Sequence, residues 1–166
     1  MIREFFAMLL ACCVISGVCY YSGKEAHAVV RGAQNKSKSK KDDVQVVVIH
    51  PVGNEMKYKE TEFTVKAGAK VKIIMDNTAT APAMKHNVVI LKPGSNINKI
   101  GVAAITAGVA KQFIPDDKNI LFYTPMAAPK QKTEVEFVVP PPGDYPYTCT
   151  FTGHFVTMKG VMHSVK

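Results

Sequence analysis

From Asp43 onward, apolar and polar residues alternate in short runs that predict strands rather than long helices. Val44-Gln45-Val46-Val47-Val48-Ile49 is a β-branched run, and Phe63 and Val65 alternate with Thr64 and Lys66. Ala67-Gly68-Ala69 predicts a turn, after which Val71, Ile73 and Met75 alternate with Lys72 and Ile74. His86 to Leu91 reads as a further strand, stopped by Lys92-Pro93-Gly94. Val135, Phe137 and Val139 alternate with Glu134, Glu136 and Val138. Pro140-Pro141-Pro142-Gly143-Asp144 is a firm break. Tyr145, Tyr147 and Cys149 then share one face of the next strand, and Val161 to Val165 closes the chain. About seven short strands with turn signals between them predict an all-β antiparallel sandwich or barrel. Pro146, inside one of them, predicts an edge or a bulge there.

Between Lys92 and Thr133 the periodicity changes. Ile97, Ile100, Ala104 and Ala107 recur at near-helical spacing, with Asn96 placed to cap the first turn. Gly101 and Gly108 weaken that helix. The segment reads as a short helical excursion from the sandwich, followed by a strand at Ile120-Leu121-Phe122-Tyr123.

The first 42 residues follow neither pattern. Arg3 precedes an apolar run from Phe5 to about Tyr21, and a polar stretch then ends in Ala26-His27-Ala28. That order of charge, apolar core and A-x-A site predicts a signal peptide over 1–28, cleaved after Ala28. An uncleaved membrane anchor is the alternative, although the apolar run is at the short end of what spans a bilayer. Leu9-Leu10-Ala11-Cys12 hints at a lipidation box, with a very short apolar stretch before it. Residues 29–42 are rich in lysine and serine and predict a flexible basic linker. Residues 43–166 form the single remaining domain.

Composition alters this picture in two places. The net charge of +8 survives loss of the leader, which carries Arg3, Lys24, Glu4 and Glu25. Arg31, Lys36, Lys38, Lys40 and Lys41 concentrate part of it in the linker. Nucleic acid is excluded as a partner, because the protein is expected to be exported and its basic arm has no interleaved aromatics. An anionic membrane surface, met peripherally, or an acidic redox partner fits better; a solvated spacer fits as well. The second change comes from the cysteines. Three of the four, Cys12, Cys13 and Cys19, lie in the leader, so Cys149 is alone in the mature chain. An exposed lone thiol in an exported protein oxidises, and metal ligation is one way to protect it.

Cys149 has the company that ligation needs. It opens Cys149-Thr150-Phe151-Thr152-Gly153-His154-Phe155-Val156-Thr157-Met158-Lys159-Gly160, which sets a thiol, an imidazole and a thioether at Cys-x4-His-x3-Met spacing. A thiolate with imidazole suits copper or zinc, and a weak thioether beside them favours copper. A trigonal copper site takes two His nitrogens and one Cys sulfur, with a long axial Met bond. The remaining His must come from elsewhere, and His86 in Met84-Lys85-His86-Asn87-Val88-Val89-Ile90-Leu91 is the leading candidate. The predicted metal ligands are therefore His86, Cys149, His154 and Met158. His50 and His163 read as ordinary surface or core residues. Met84 and Met126 lie in Pro/Ala-rich segments and read equally well as core filler or as parts of an apolar docking patch. Paired catalytic carboxylates and phosphate-binding loops are absent from the sequence.

Three stretches carry a family resemblance: Met84 to Ile90, Gly143 to His154, and Met158-Lys159-Gly160. Through them the chain resembles azurin and the related auracyanins, within the cupredoxin family of blue copper proteins, over about residues 43–166. The resemblance implies a Greek-key β-sandwich, one type 1 copper ion, and one-electron transfer through the exposed edge of His154. Four protein ligands leave no open position for a substrate, so no catalytic turnover is expected. The resemblance also implies that Asn87 ties the two ligand loops together and that the N–H groups of Asn87 and Phe151 point at the thiolate. It places the Met84 and Met126 segments, with Phe155, around His154 as a surface for redox partners. Three positions differ from azurin: Lys85 stands where azurin has Gly, Thr152 where it has Pro, and no second mature Cys exists for its disulfide. Two functions follow. One is an exported, periplasmic electron carrier; the other is a copper-delivery module using the same ligands without redox traffic.

Overall fold

The computed structural model describes residues 44–166. The expected leader (1–28) and basic linker (29–42) lie outside the described residues. In chain order the elements are β1 (Gln45–Ile49), β2 (Glu62–Lys66), β3 (Lys70–Asp76), β4 (Val89–Leu91), α1 (Ile97–Ala107), β5 (Ile120–Tyr123), β6 (Lys132–Val138), β7 (Gly143–Thr148) and β8 (Lys159–Val165). Single 3-10 turns at Val109–Lys111 and His154–Val156 complete the set.

The strands make two sheets, one ordered β1-β3-β6 and the other β2-β8-β7-β4-β5. Alternation sets which residues meet between them. Val71, Ile73 and Met75 of β3 are fully buried and join Val65, Ile90, Tyr145, Tyr147, Cys149 and Met162 from the second sheet in one core. Phe122 of β5 stacks on Phe137 of β6 at 3.9 Å between ring centroids, closing the sandwich at one side. Ala67-Gly68-Ala69 turns as expected, with Gly68 at φ 76° and the Ala69 N–H donating to the Lys66 carbonyl. This is the expected β-sandwich.

Two details differ from the sequence reading. The sandwich is mixed, because β1 pairs with β3 and β2 with β8 in parallel. Alternation sets which face of a strand is buried but says nothing about the direction of its neighbour. Pro146 lies in the central strand β7, not at an edge. Its missing N–H falls where the β7–β4 ladder has already ended, at Ile90↔Tyr147.

The helical excursion forms as α1. Asn96 Oδ1 accepts from the Lys99 N–H at 3.0 Å, and the chain leaves the helix at Gly108, φ 64°. Its inner face lays Ile97 and Ile100 on Val89 and Leu91 of β4, with Ile114 and Ile120 beside them. β4 is therefore buried on both faces, which explains its unbroken apolar sequence. Among the described residues, no helix is long and apolar enough to cross a membrane.

Candidate metal centre

β7 ends at Thr148 and β8 begins at Lys159. The ten residues between them fold back over the end of the sandwich. Cys149 continues the β7–β8 ladder by one bond, its N–H donating to the Met158 carbonyl at 3.0 Å. Thr148 Oγ1 donates to the same carbonyl at 3.0 Å. Gly153, at φ 81°, makes the left-handed turn that a residue with Cβ disfavours and sends the chain into the turn at His154. The His154 carbonyl accepts from the Met158 N–H at 2.8 Å. Cys149, His154 and Met158 are thus tied to one another through their backbones, and Cys149 and Met158 are completely buried. Gly160 closes the motif for a steric reason: a Cβ there would lie 2.4 Å from the Tyr147 ring and from the Thr61 carbonyl.

His86 comes from the other loop. It sits before β4 in an isolated bridge to Ala127, with N–H to carbonyl at 3.0 Å one way and 2.8 Å the other. The two loops meet through Asn87, whose Nδ2 donates to Thr150 Oγ1 at 2.8 Å and whose Oδ1 accepts from the Thr150 N–H at 2.9 Å. The Asn87 carbonyl accepts from the buried Tyr58 hydroxyl. The Val88 N–H donates to Thr124 Oγ1 at 3.0 Å. This is the tie between ligand loops that the resemblance implied for Asn87.

Three donor atoms converge. Cys149 Sγ lies 3.9 Å from His86 Nδ1 and 3.6 Å from His154 Nδ1, and the two Nδ1 atoms are 3.2 Å apart. All three residues are buried, and they are the one such cluster of His, Cys, Asp and Glu among the described residues. The spacing can be tested against an ion. Donor atoms within 3.9 Å of one another are close enough to share one ion at metal–nitrogen bonds of about 2.0 Å and a metal–sulfur bond of about 2.3 Å. The donor set and its spacing fit a copper ion.

The electrostatics agree with a site built to be filled. Burial, and then the neighbouring His154, hold the His86 imidazole down at about 4, so it is a neutral ligand at pH 7. Burial also lowers His154. Burial pushes the Cys149 thiol up to about 12, against which the Asn87 and Phe151 N–H groups act in the other direction by donating to the sulfur. Those are the two donors the resemblance implied. Without a cation the thiol keeps its proton. A metal ion reverses that balance and takes the thiolate.

Other expectations resolve differently. His154 is only 3% exposed, because Phe151 packs edge-on to its ring at 5.0 Å and Phe113 backs Phe151 at 5.1 Å. The exposed edge is therefore narrow. Phe155 is not part of an outer patch. It is 7% exposed and points at α1, where a Cβ on Gly101 would fall 2.0 Å from its ring. Val156, 57% exposed, is the apolar residue of that turn facing outward. Met84 and Met126 are each half-buried. His50 pairs with Glu60 at 3.1 Å and His163 with Asp144 at 2.8 Å, both outside the donor cluster. Sequence reasoning missed Tyr58 and Thr124, which hold the residues after His86. No spacing signal marks them.

A β-sandwich whose end carries two imidazoles and a thiol, with Met158 tied through its backbone to Cys149 and His154, defines a cupredoxin-type protein. Residues 44–164 match the family of copper binding proteins described as the plastocyanin/azurin family. The chain belongs to that family. It is 36% identical over 110 residues to auracyanin-A of Chloroflexus aurantiacus, covering 65% of this chain and 67% of that protein. It is 28% identical over 120 residues to an azurin of Methylobacillus flagellatus, covering 68% and 80%. Among solved structures it resembles the dithionite-reduced auracyanin of Roseiflexus castenholzii, with a TM-score of 0.68 and 35% identity over 74% of this chain and 98% of that one. It also resembles auracyanin A of Chloroflexus aurantiacus, described as a "blue" copper protein, with a TM-score of 0.67 and 32% identity over 72% and 98%.

Proposed function

We propose that the protein is an exported one-electron carrier whose copper ion would be held by His86, Cys149, His154 and Met158. The observation that carries this is the convergence of three buried donors, Cys149 Sγ and the Nδ1 atoms of His86 and His154, within 3.9 Å of one another. Bound copper supplies a one-electron couple between Cu(II) and Cu(I). The chain's part is to keep that couple from needing rearrangement. His86 presents Nδ1 from a loop pinned at Ala127, Thr124 and Tyr58. Cys149 and Met158 are fixed to each other by the N–H to carbonyl bond between them. The Asn87 and Phe151 N–H groups steady charge on the sulfur. Four protein donors leave no position for a substrate, which argues for a carrier rather than a metalloenzyme.

Electron exit is assigned to the narrow edge of His154. A redox partner would dock on the apolar surface around it, formed by Val156 and the segments carrying Met84 and Met126, or on an acidic face drawn by the net positive charge. The signal-peptide reading supports a periplasmic location; a retained leader would instead anchor the domain on the outer side of the membrane. The basic linker would then lie against the lipid surface.

The rival reading, copper delivery, uses the same ligands but has no need of fast electron exchange. Voltammetry and NMR line broadening of mixed Cu(I)/Cu(II) protein separate the two. A carrier gives a reversible one-electron wave and self-exchange fast on the NMR timescale. An irreversible wave with copper lost on reduction would favour delivery and overturn the carrier.

A further inference from the structure

Asn77 follows the last residue of β3 and is completely buried. Its backbone N–H donates to the Gln131 carbonyl at 2.9 Å, and its carbonyl accepts from the Lys130 N–H at 2.7 Å. In the side chain, Nδ2 donates to the Met84 carbonyl at 2.8 Å and to the Ala127 carbonyl at 3.0 Å. Oδ1 accepts from the Ala79 N–H at 3.1 Å. One residue thus joins three segments: the end of β3, the loop leading to His86, and the loop 124–131.

The target of those bonds is specific. Met84 lies two residues before His86, and Ala127 is the residue that exchanges both backbone bonds with His86. Apart from that bridge, no strand ladder holds the chain between β3 and β4. Buried carbonyls there need donors from elsewhere. A primary amide supplies two N–H donors and an acceptor on one rigid plane. A carboxylate of the same shape would turn both donors into acceptors facing carbonyl oxygens.

We infer that Asn77 is a positioning residue for His86, fixing the place of its Nδ1 before any ion arrives. The inference rests on the reading of His86 as a ligand. Asn77 acts only through the backbones of Met84 and Ala127, and preorganisation of this kind is what outer hydrogen bonds give a metal site.

The test is hydrogen exchange by NMR on the metal-free protein, with copper affinity measured alongside. In the unaltered protein both Nδ2 protons of Asn77 should be protected, as should the amides of His86 and Ala127. Asn77→Asp keeps the shape and the Oδ1 acceptor. It should speed exchange at His86 and Ala127 by about tenfold or more while the Ile73 and Val135 amides of the β3–β6 ladder keep their rates. Copper affinity should fall about ten- to a hundredfold. Asn77→Ser, with one donor, should fall between. Exchange that rises equally across the sheet, with affinity per folded molecule unchanged, would overturn the inference in favour of stability alone. If Asn77→Asp does not fold, Nδ2 protons that exchange at the free-amide rate in the unaltered protein would overturn it equally. The exchange pattern is read without metal, so a protein that bound no copper would defeat the ligand reading and leave the hold of Asn77 on the loop separately decided.

Discussion

Single residues are expected to tune the potential of the centre and the acid stability of the metal-free fold. Met158 is buried and tied through its backbone to Cys149 and His154, so its side chain can be exchanged without moving the other donors. Met158→Gln should keep copper but lower the reduction potential, because an oxygen donor favours Cu(II) over Cu(I). Met158→Leu should raise it. Equal potentials in all three proteins by voltammetry would make Met158 mere packing. His86 should contribute to the acid sensitivity of the metal-free protein. Its imidazole is held at about 4 when folded against roughly 6.5 unfolded, so between those values the unfolded chain binds more protons. Stability of the metal-free protein should therefore drop as pH falls from 6.5 to 4. Urea unfolding across that range checks it, and a His86→Gln variant with the same pH slope would contradict it. At this scale the sequence was most legible where spacing is fixed by the metal: Cys149, His154 and Met158 sit on one loop. Asn77 and Tyr58 were illegible, because each bonds a carbonyl far off in sequence: Asn77 that of Ala127, 50 residues away, and Tyr58 that of Asn87, 29 residues away.

At the scale of elements, α1 matters most, because it packs on the turn that carries His154. Gly101 faces the Phe155 ring with no room for a Cβ. The sequence marked Gly101 only as a weak point in a helix; contact across the fold gives it its use. Gly101→Val should cost about 1–3 kcal/mol through overpacking. Because Phe155 follows His154 directly, the same change should also shift the visible spectrum of the copper form. Thermal unfolding and absorption on one sample test both. A destabilised protein with an unchanged spectrum would show that α1 and the His154 turn are uncoupled. The strands themselves were readable from alternation, since each has one face towards the shared core. Direction was not, so β1–β3 and β2–β8 appear as parallel pairs that no local pattern announces. The inward turn of Phe155 was hidden for the same reason: its partner, Gly101, offers no side chain to read.

For the whole molecule, two kinds of force would guide a redox partner to the proposed exit at His154. The net charge of +8 acts over a Debye length of about 8–10 Å and steers encounter. An apolar docking surface that included Val156 would act only on contact. Electron transfer to an acidic partner should therefore slow as salt rises, while Val156→Asp should slow self-exchange at every ionic strength. A salt series showing no dependence with the acidic partner would remove steering from the account. All of this depends on a copper ion being held by the Cys149 thiolate with His86 and His154 inside the sandwich. The most direct measurement of that claim is the visible and EPR spectrum of the purified protein loaded with Cu(II), beside Cys149→Ser. The account predicts an intense blue thiolate-to-copper band with small copper hyperfine splitting, lost in Cys149→Ser while the fold remains. A pale protein with ordinary large splitting, or a Cys149→Ser variant that stays blue, would contradict it.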